Sequence, residues 1–144
     1  MIDFGRMREL IRKDEHMRMA IERERAKAER ITSSFSKSGG GGSRWMSSRV
    51  EEGAVALTIL QDEHKPIADE LEAQRKELRR YMRKLDDLQR TCLRMRYMEG
   101  ISCARVAEAT FYSVDHIHHV IQAAEARVSE IQTEESRKGD HNTP

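Results

Sequence analysis

LRMRYMEGISCARVAEATFYSVDHIHHVIQAAEARVSEI, from Leu93 to Ile131, is the stretch whose reading sets the fold. Gly100 and Ser102 mark a helix stop followed by a helix start, and Ser113 marks the start of a second helix. Val106, Ala107, Tyr112, Ile117 and Val120 are apolar or small where two short helices would cross. In the last helix Ile117, Val120, Ala124, Val128 and Ile131 recur at three- and four-residue spacing and predict an inward stripe. Upstream, Asp86 or Asp87 can cap a helix running to about Met98, with Leu88, Cys92, Leu93 and Met95 or Tyr97 facing inward. Residues 86–132 therefore predict a three-helix unit of the helix-turn-helix kind.

The inward stripe of the last helix leaves Asp115, His118, His119 and Gln122 together on the opposite face, with His116 beside them. Such a face can donate and accept hydrogen bonds, as reading of base edges requires. Ser113 and Val114 open that helix, whose free backbone amides suit a phosphate. Ser102 and Arg105 could hold the neighbouring phosphate in the same way. The expected DNA-contacting set is thus Ser102, Arg105, Ser113, Val114, Asp115, His116, His118, His119 and Gln122. Residues 86–132 carry five Lys/Arg against seven Asp/Glu, a net charge of −2. Phosphate neutralisation supplies much of DNA affinity, so this charge counts against DNA binding by the unit and favours a protein-binding alternative. Residues 1–48, with 11 Lys/Arg against seven Asp/Glu, are the basic part.

The N-terminal half reads as an antiparallel helical hairpin over 1–85. Residues 3 to about 32 form one helix, whose stripe Leu10, Met17, Ile21, Ala28 and Ile31 is interrupted by Asp14 and Glu24. Residues 33–48, SSFSKSGGGGSRWMSS, read as a flexible connector that holds Trp45, the single tryptophan. A second helix over about 49–84 carries Val50, Gly53, Leu57, Leu60, His64, Ile67, Leu71, Gln74, Leu78, Tyr81 and Leu85 at alternating spacings of three and four. That is a coiled-coil seam. His64 and Gln74 are polar positions that set register, and Pro66 should kink the helix. One narrow stripe buries little area, so self-association, with a dimer favoured, is expected. The tail 133–144 reads as disordered. The fold class is all-α.

Charged residues make up 35% of the 144 and aromatics 5%, a balance suited to long solvent-facing helices rather than a deep catalytic pocket. No apolar run approaches the roughly 18 residues a membrane span needs, and the N-terminus lacks a signal-peptide core. A cytoplasmic protein without membrane contact is expected. Cys92 and Cys103 make no CxxC motif and read as small apolar residues on helices. His116 and His119 have a spacing that can share an ion, but nothing obvious completes a ligand set. No nucleophile with its base, phosphate-cradling loop or paired carboxylates stands out. Neither enzyme activity, metal nor cofactor is expected.

Read as a unit, residues 93–128 resemble region 4 of sigma-70-type RNA polymerase sigma factors. The likeness is greatest to small phage and prophage proteins that carry this module behind a helical hairpin. It rests on Leu93, Arg96, Tyr97, Glu99, Gly100, Ser102, Val106, Ala107, Glu108, Tyr112, Ser113, Ile117, Val120 and Ala124. The resemblance implies a DNA-binding transcription regulator acting on double-stranded DNA, with RNA polymerase as a further partner. Two features depart from the family. Phe111 stands where a Gly or Asn is usual, and histidines replace the Arg-rich recognition face, so sigma-type promoter specificity is not carried over. A phage DNA-packaging component of the terminase small-subunit kind is the alternative function, and a helix-turn-helix that binds protein instead of DNA is a third.

Overall fold

A computed structural model describes residues 1–37 and 43–140, with side chains described outside 32–47. Among the described residues every regular element is helical: α1 Phe4–Lys37, α2 Ser43–Met82, α3 Asp87–Leu93, α4 Cys103–Thr110 and α5 Val114–Asp140. A π-helical turn, Arg94–Met98, prolongs α3. The helices reach into the segment expected to be a connector, since α1 runs to Lys37 and α2 starts at Ser43; what remains of it, like the side chain of Trp45, lies outside the described residues. The tail expected to be disordered from Thr133 is helical to Asp140. Pro66 sits exposed inside α2, which continues through it.

The chain forms two compact units, divided differently from the expected boundary at 85. One comprises Arg12–Glu70, and the other joins Met1–Ile11 to the chain from Leu71 onward. The first turns of α1 thus belong with the C-terminal helices rather than with a separate hairpin.

In the 12–70 unit α1 and α2 run antiparallel. Asp14 meets His64, while Lys27, Ala28 and Ile31 line a groove with Val50, Gly53 and Ala56. Only Ile21 and Asp14 are buried among the described residues of this unit. Leu57, Leu60 and Ile67 of the seam are half-buried, and Val50 is exposed. The residue that breaks the α1 stripe and the polar residue of the α2 seam are partners. Asp14 Oδ1 lies 2.6 Å from His64 Nε2, and Asp14 Oδ2 takes a 2.9 Å bond from Arg18 Nε. A buried carboxylate needs such partners, because leaving it unpaired is costly.

The other unit holds the remaining core. Phe4, Met7 and Leu10 of α1, Leu71, Leu78 and Tyr81 of α2, and Leu85 just beyond it are buried in the same unit as Cys92, Leu93 and Tyr97. Asp86 caps α3 by accepting the Gln89 amide at 2.8 Å. Arg90 caps the other side of the corner, donating to the carbonyls of Met82 at 3.1 Å and Leu85 at 2.9 Å; the Met82 carbonyl also accepts the Leu85 amide at 3.2 Å. In the π-turn the Tyr97 carbonyl accepts a 2.7 Å bond from Arg75 Nε. Gly100, at φ 70°, then ends the helix, and the Ile101 amide reaches back to the Met95 carbonyl at 2.9 Å. This is the glycine-terminated stop that the sequence predicts. The late turns of α5 are held to α2. Lys84 Nζ lies 3.2 Å and Tyr81 Oη 3.3 Å from Glu135, and the Lys84 hydrogen bond holds that exposed carboxyl below the usual range.

Candidate nucleic-acid interface

The α4–α5 corner is built by short-range chemistry. Ser102 caps α4, its Oγ accepting the Arg105 amide at 3.4 Å, and Ser113 caps α5, accepting the His116 amide at 3.1 Å. Thr110 Oγ1 donates to the Val106 carbonyl at 2.7 Å. Phe111 ends α4 in the left-handed region, at φ 62° and ψ 25°. A chain can turn this sharply between two helices only through such a residue, normally Gly or Asn. Phe111 takes that conformation despite its ring, which is 95% exposed.

Inside the corner Val106, Ala107 and Ile117 are buried, as expected. Tyr112 and Val120 do not join them. Tyr112 is exposed and its ring lies 4.9 Å from that of His116, so it lies on the outer surface of the turn. Val120 is half-buried, and Ile121 takes the inner place. The stripe is Ile117, Ile121, Ala124, Val128 and Ile131, a small roll of the helix from the expected one. Cys92 is buried, and that burial pushes its thiol up; Cys103 is half-buried, and neither is in a disulfide.

A second set of contacts fixes that roll. The Glu125 carboxylate accepts the Tyr97 hydroxyl and pairs with Arg8 Nη1 at 3.2 Å; Arg8 also donates to Tyr97 Oη at 2.9 Å. Burial, reinforced by Glu125, pushes the Tyr97 phenol far above its ordinary value, so it remains a donor. The three residues come from α1, the π-turn and α5. The sequence pattern places Tyr97 inward but carries no periodic signal for Arg8 or Glu125, which meet it across 89 and 28 positions.

With the inner face so held, Asp115, His116, His118, His119 and Gln122 are all exposed on the first turns of α5, together with Ser113 and Val114. His119 Nδ1 lies 2.7 Å from the Asp115 carbonyl and so must carry the proton. Its Nε2 is then an acceptor in the neutral ring, and the side chain lines a shallow groove with Asp86, Asp87 and Gln89. Asp115 adds a carboxylate acceptor and Gln122 an amide able to donate and accept. Ser102 and Arg105 are exposed at the start of α4, and Arg105 has no ion-pair partner among the described residues. No group of three or more His, Cys, Asp or Glu among the described residues could hold a metal ion, and no described helix is long and apolar enough to cross a membrane.

The charge of this surface differs from that of residues 86–132 taken alone. Its compact unit includes Arg75, Lys76, Arg79, Arg80, Arg83 and Lys84 from the end of α2. With them the unit carries 15 Lys/Arg against 14 Asp/Glu, so the deficit of the segment is offset within its own fold. No family model, curated protein sequence or solved structure matches the chain.

Proposed function

We propose that the chain is a DNA-binding transcription regulator of the phage or prophage kind. In this reading α4, the Phe111 turn and α5 act as a helix-turn-helix that sets the first turns of α5 in the major groove. The long helices mediate self-association. The observation that carries the proposal is the exposed row Ser113, Asp115, His118, His119 and Gln122 on a helix whose opposite side is fully packed. A recognition helix needs that combination, because base reading demands polar groups presented in a fixed orientation. Ser102 and Arg105 are suited to the flanking phosphate, and the basic end of α2 supplies charge to the same unit.

The two roles separate in a binding assay on duplex DNA. Arg105→Ala should weaken binding evenly across sequences and reduce the steepness of its salt dependence by about one counterion. His118→Ala/Gln122→Ala should cost about 1–3 kcal/mol on a preferred site and flatten the preference between sites. A double variant that keeps both the parent's affinity and the parent's preference between sites would remove α5 as the reading helix.

A further inference from the structure

The seam of the 12–70 unit lies on the faces that α1 and α2 turn toward each other. A second repeat runs along the faces turned away, reaching the rims of the grooves between the two helices at Ala26, Arg30 and Glu52. On α1, Arg12, His16, Met19, Arg23, Ala26 and Arg30 follow one another at alternating spacings of four and three. On α2, Glu52, Val55, Ile59, Asp62, Pro66 and Asp69 do the same, beginning with three. Such spacing lines residues up along one side of a helix and is the pattern of a packed seam. Among the described residues nothing covers the centre of either stripe. Met19 is 50% exposed, Val55 59% and Ile59 52%. Arg12, Arg23, Arg30, Glu52, Asp62 and Asp69 have no ion-pair partner among the described residues.

The two stripes are opposite in charge. Residues 12–37 carry eight Lys/Arg against five Asp/Glu, while 43–70 carry three against six, giving +3 and −3. Pairing like with like would set arginine on arginine or carboxylate on carboxylate, which is repulsive. The favourable pairing is α1 of one copy with α2 of another. Because Met19 and the Val55–Ile59 pair are exposed on different helices, one such contact leaves a free stripe of each sign. A contact of this type is heterologous, and it closes into a ring or continues as an open array. The unit also has reason to associate, since it buries only Ile21 and Asp14 among its described residues. Two helices with so thin a core gain most from further packing.

We propose that copies of this chain associate head to tail through the 12–70 unit, the basic outer stripe of α1 docking on the acidic outer stripe of α2 in the next copy, with Met19, Val55 and Ile59 at the centre. This goes beyond simple self-association and does not depend on DNA binding.

Sedimentation of the full chain tests it. The parent should exceed the mass of two chains in about 0.1 M salt and shrink toward one chain at about 1 M, as the screening length falls from about 10 to about 3 Å. Two charge-reversed variants make the test independent of register and of folding. One carries Arg12→Glu, Arg23→Glu and Arg30→Glu; the other carries Glu52→Lys, Asp62→Lys and Asp69→Lys. Each alone should sediment as a single chain, and mixing them should restore assembly. Val55→Asp/Ile59→Asp should not assemble in either case. A parent that stays a single chain, a pair that never grows beyond two, or reversed variants that fail to co-assemble would overturn the proposal.

Discussion

Phe111 shows how much one residue can be asked to do by the turn it occupies. Its left-handed backbone costs a residue with a side chain about 1–2 kcal/mol. Its ring, 95% exposed, recovers little of that by packing. Phe111→Gly removes the steric cost while adding about 0.5–1 kcal/mol of unfolded-state freedom, so the variant should be more stable by up to about 1 kcal/mol in urea unfolding. A loss of stability would mean that the ring makes a contact the turn needs. Tyr97 is the opposite case, a buried hydroxyl with two partners. Burial and Glu125 raise its phenol above the ordinary 10.0, so the folded state keeps a proton that the unfolded chain releases. The stabilising contribution is therefore complete below about pH 10 and is lost as pH rises beyond it. Unfolding measured on both sides of that pH should show the decline in the parent and a smaller one in Tyr97→Phe. An equal decline in both would place its origin elsewhere.

At the scale of elements, the Asp14–His64 pair illustrates what a polar residue does in an apolar seam. Removing His64 leaves Asp14 Oδ1 without its partner while Arg18 still holds Oδ2, so His64→Ala should destabilise by about 1–3 kcal/mol. Replacing both, Asp14→Leu/His64→Leu, should recover that loss or exceed the parent, since apolar packing commonly matches a buried polar pair. A double variant worse than either single would show that the pair supplies net stability. The helices themselves were legible because their signals are local and periodic: the caps at Asp86, Ser102 and Ser113, the stop at Gly100 and the seam spacing of α2. Exchanging Val120 for Ile121 is a shift of one position, which periodicity resolves poorly when both neighbours are β-branched and apolar. In the sequence Asp14 interrupts a stripe and His64 is a polar register position, yet their meeting depends on how two distant helices align. The Arg8–Tyr97–Glu125 set was out of reach for the same reason, as was the assignment of Met1–Ile11 to the C-terminal unit.

For the whole molecule, the basic end of α2 and the start of α1 belong to the fold that presents α5, and this brings the charge of that unit to +1. The proposed reading surface thus rests on residues from both ends of the chain, and DNA contact is common to the regulatory proposal and to the packaging alternative. A closed ring of many copies would favour packaging; assembly into smaller species would favour regulation. Both stand or fall on sequence-dependent binding through α5. The most direct measurement is selection of the full-length chain on a library of random duplexes, run in parallel with His118→Ala/Gln122→Ala. The account predicts a shared motif enriched by the parent and a weakened or altered motif with the variant. Enrichment of the same motif by both, or no enrichment by the parent, would contradict it.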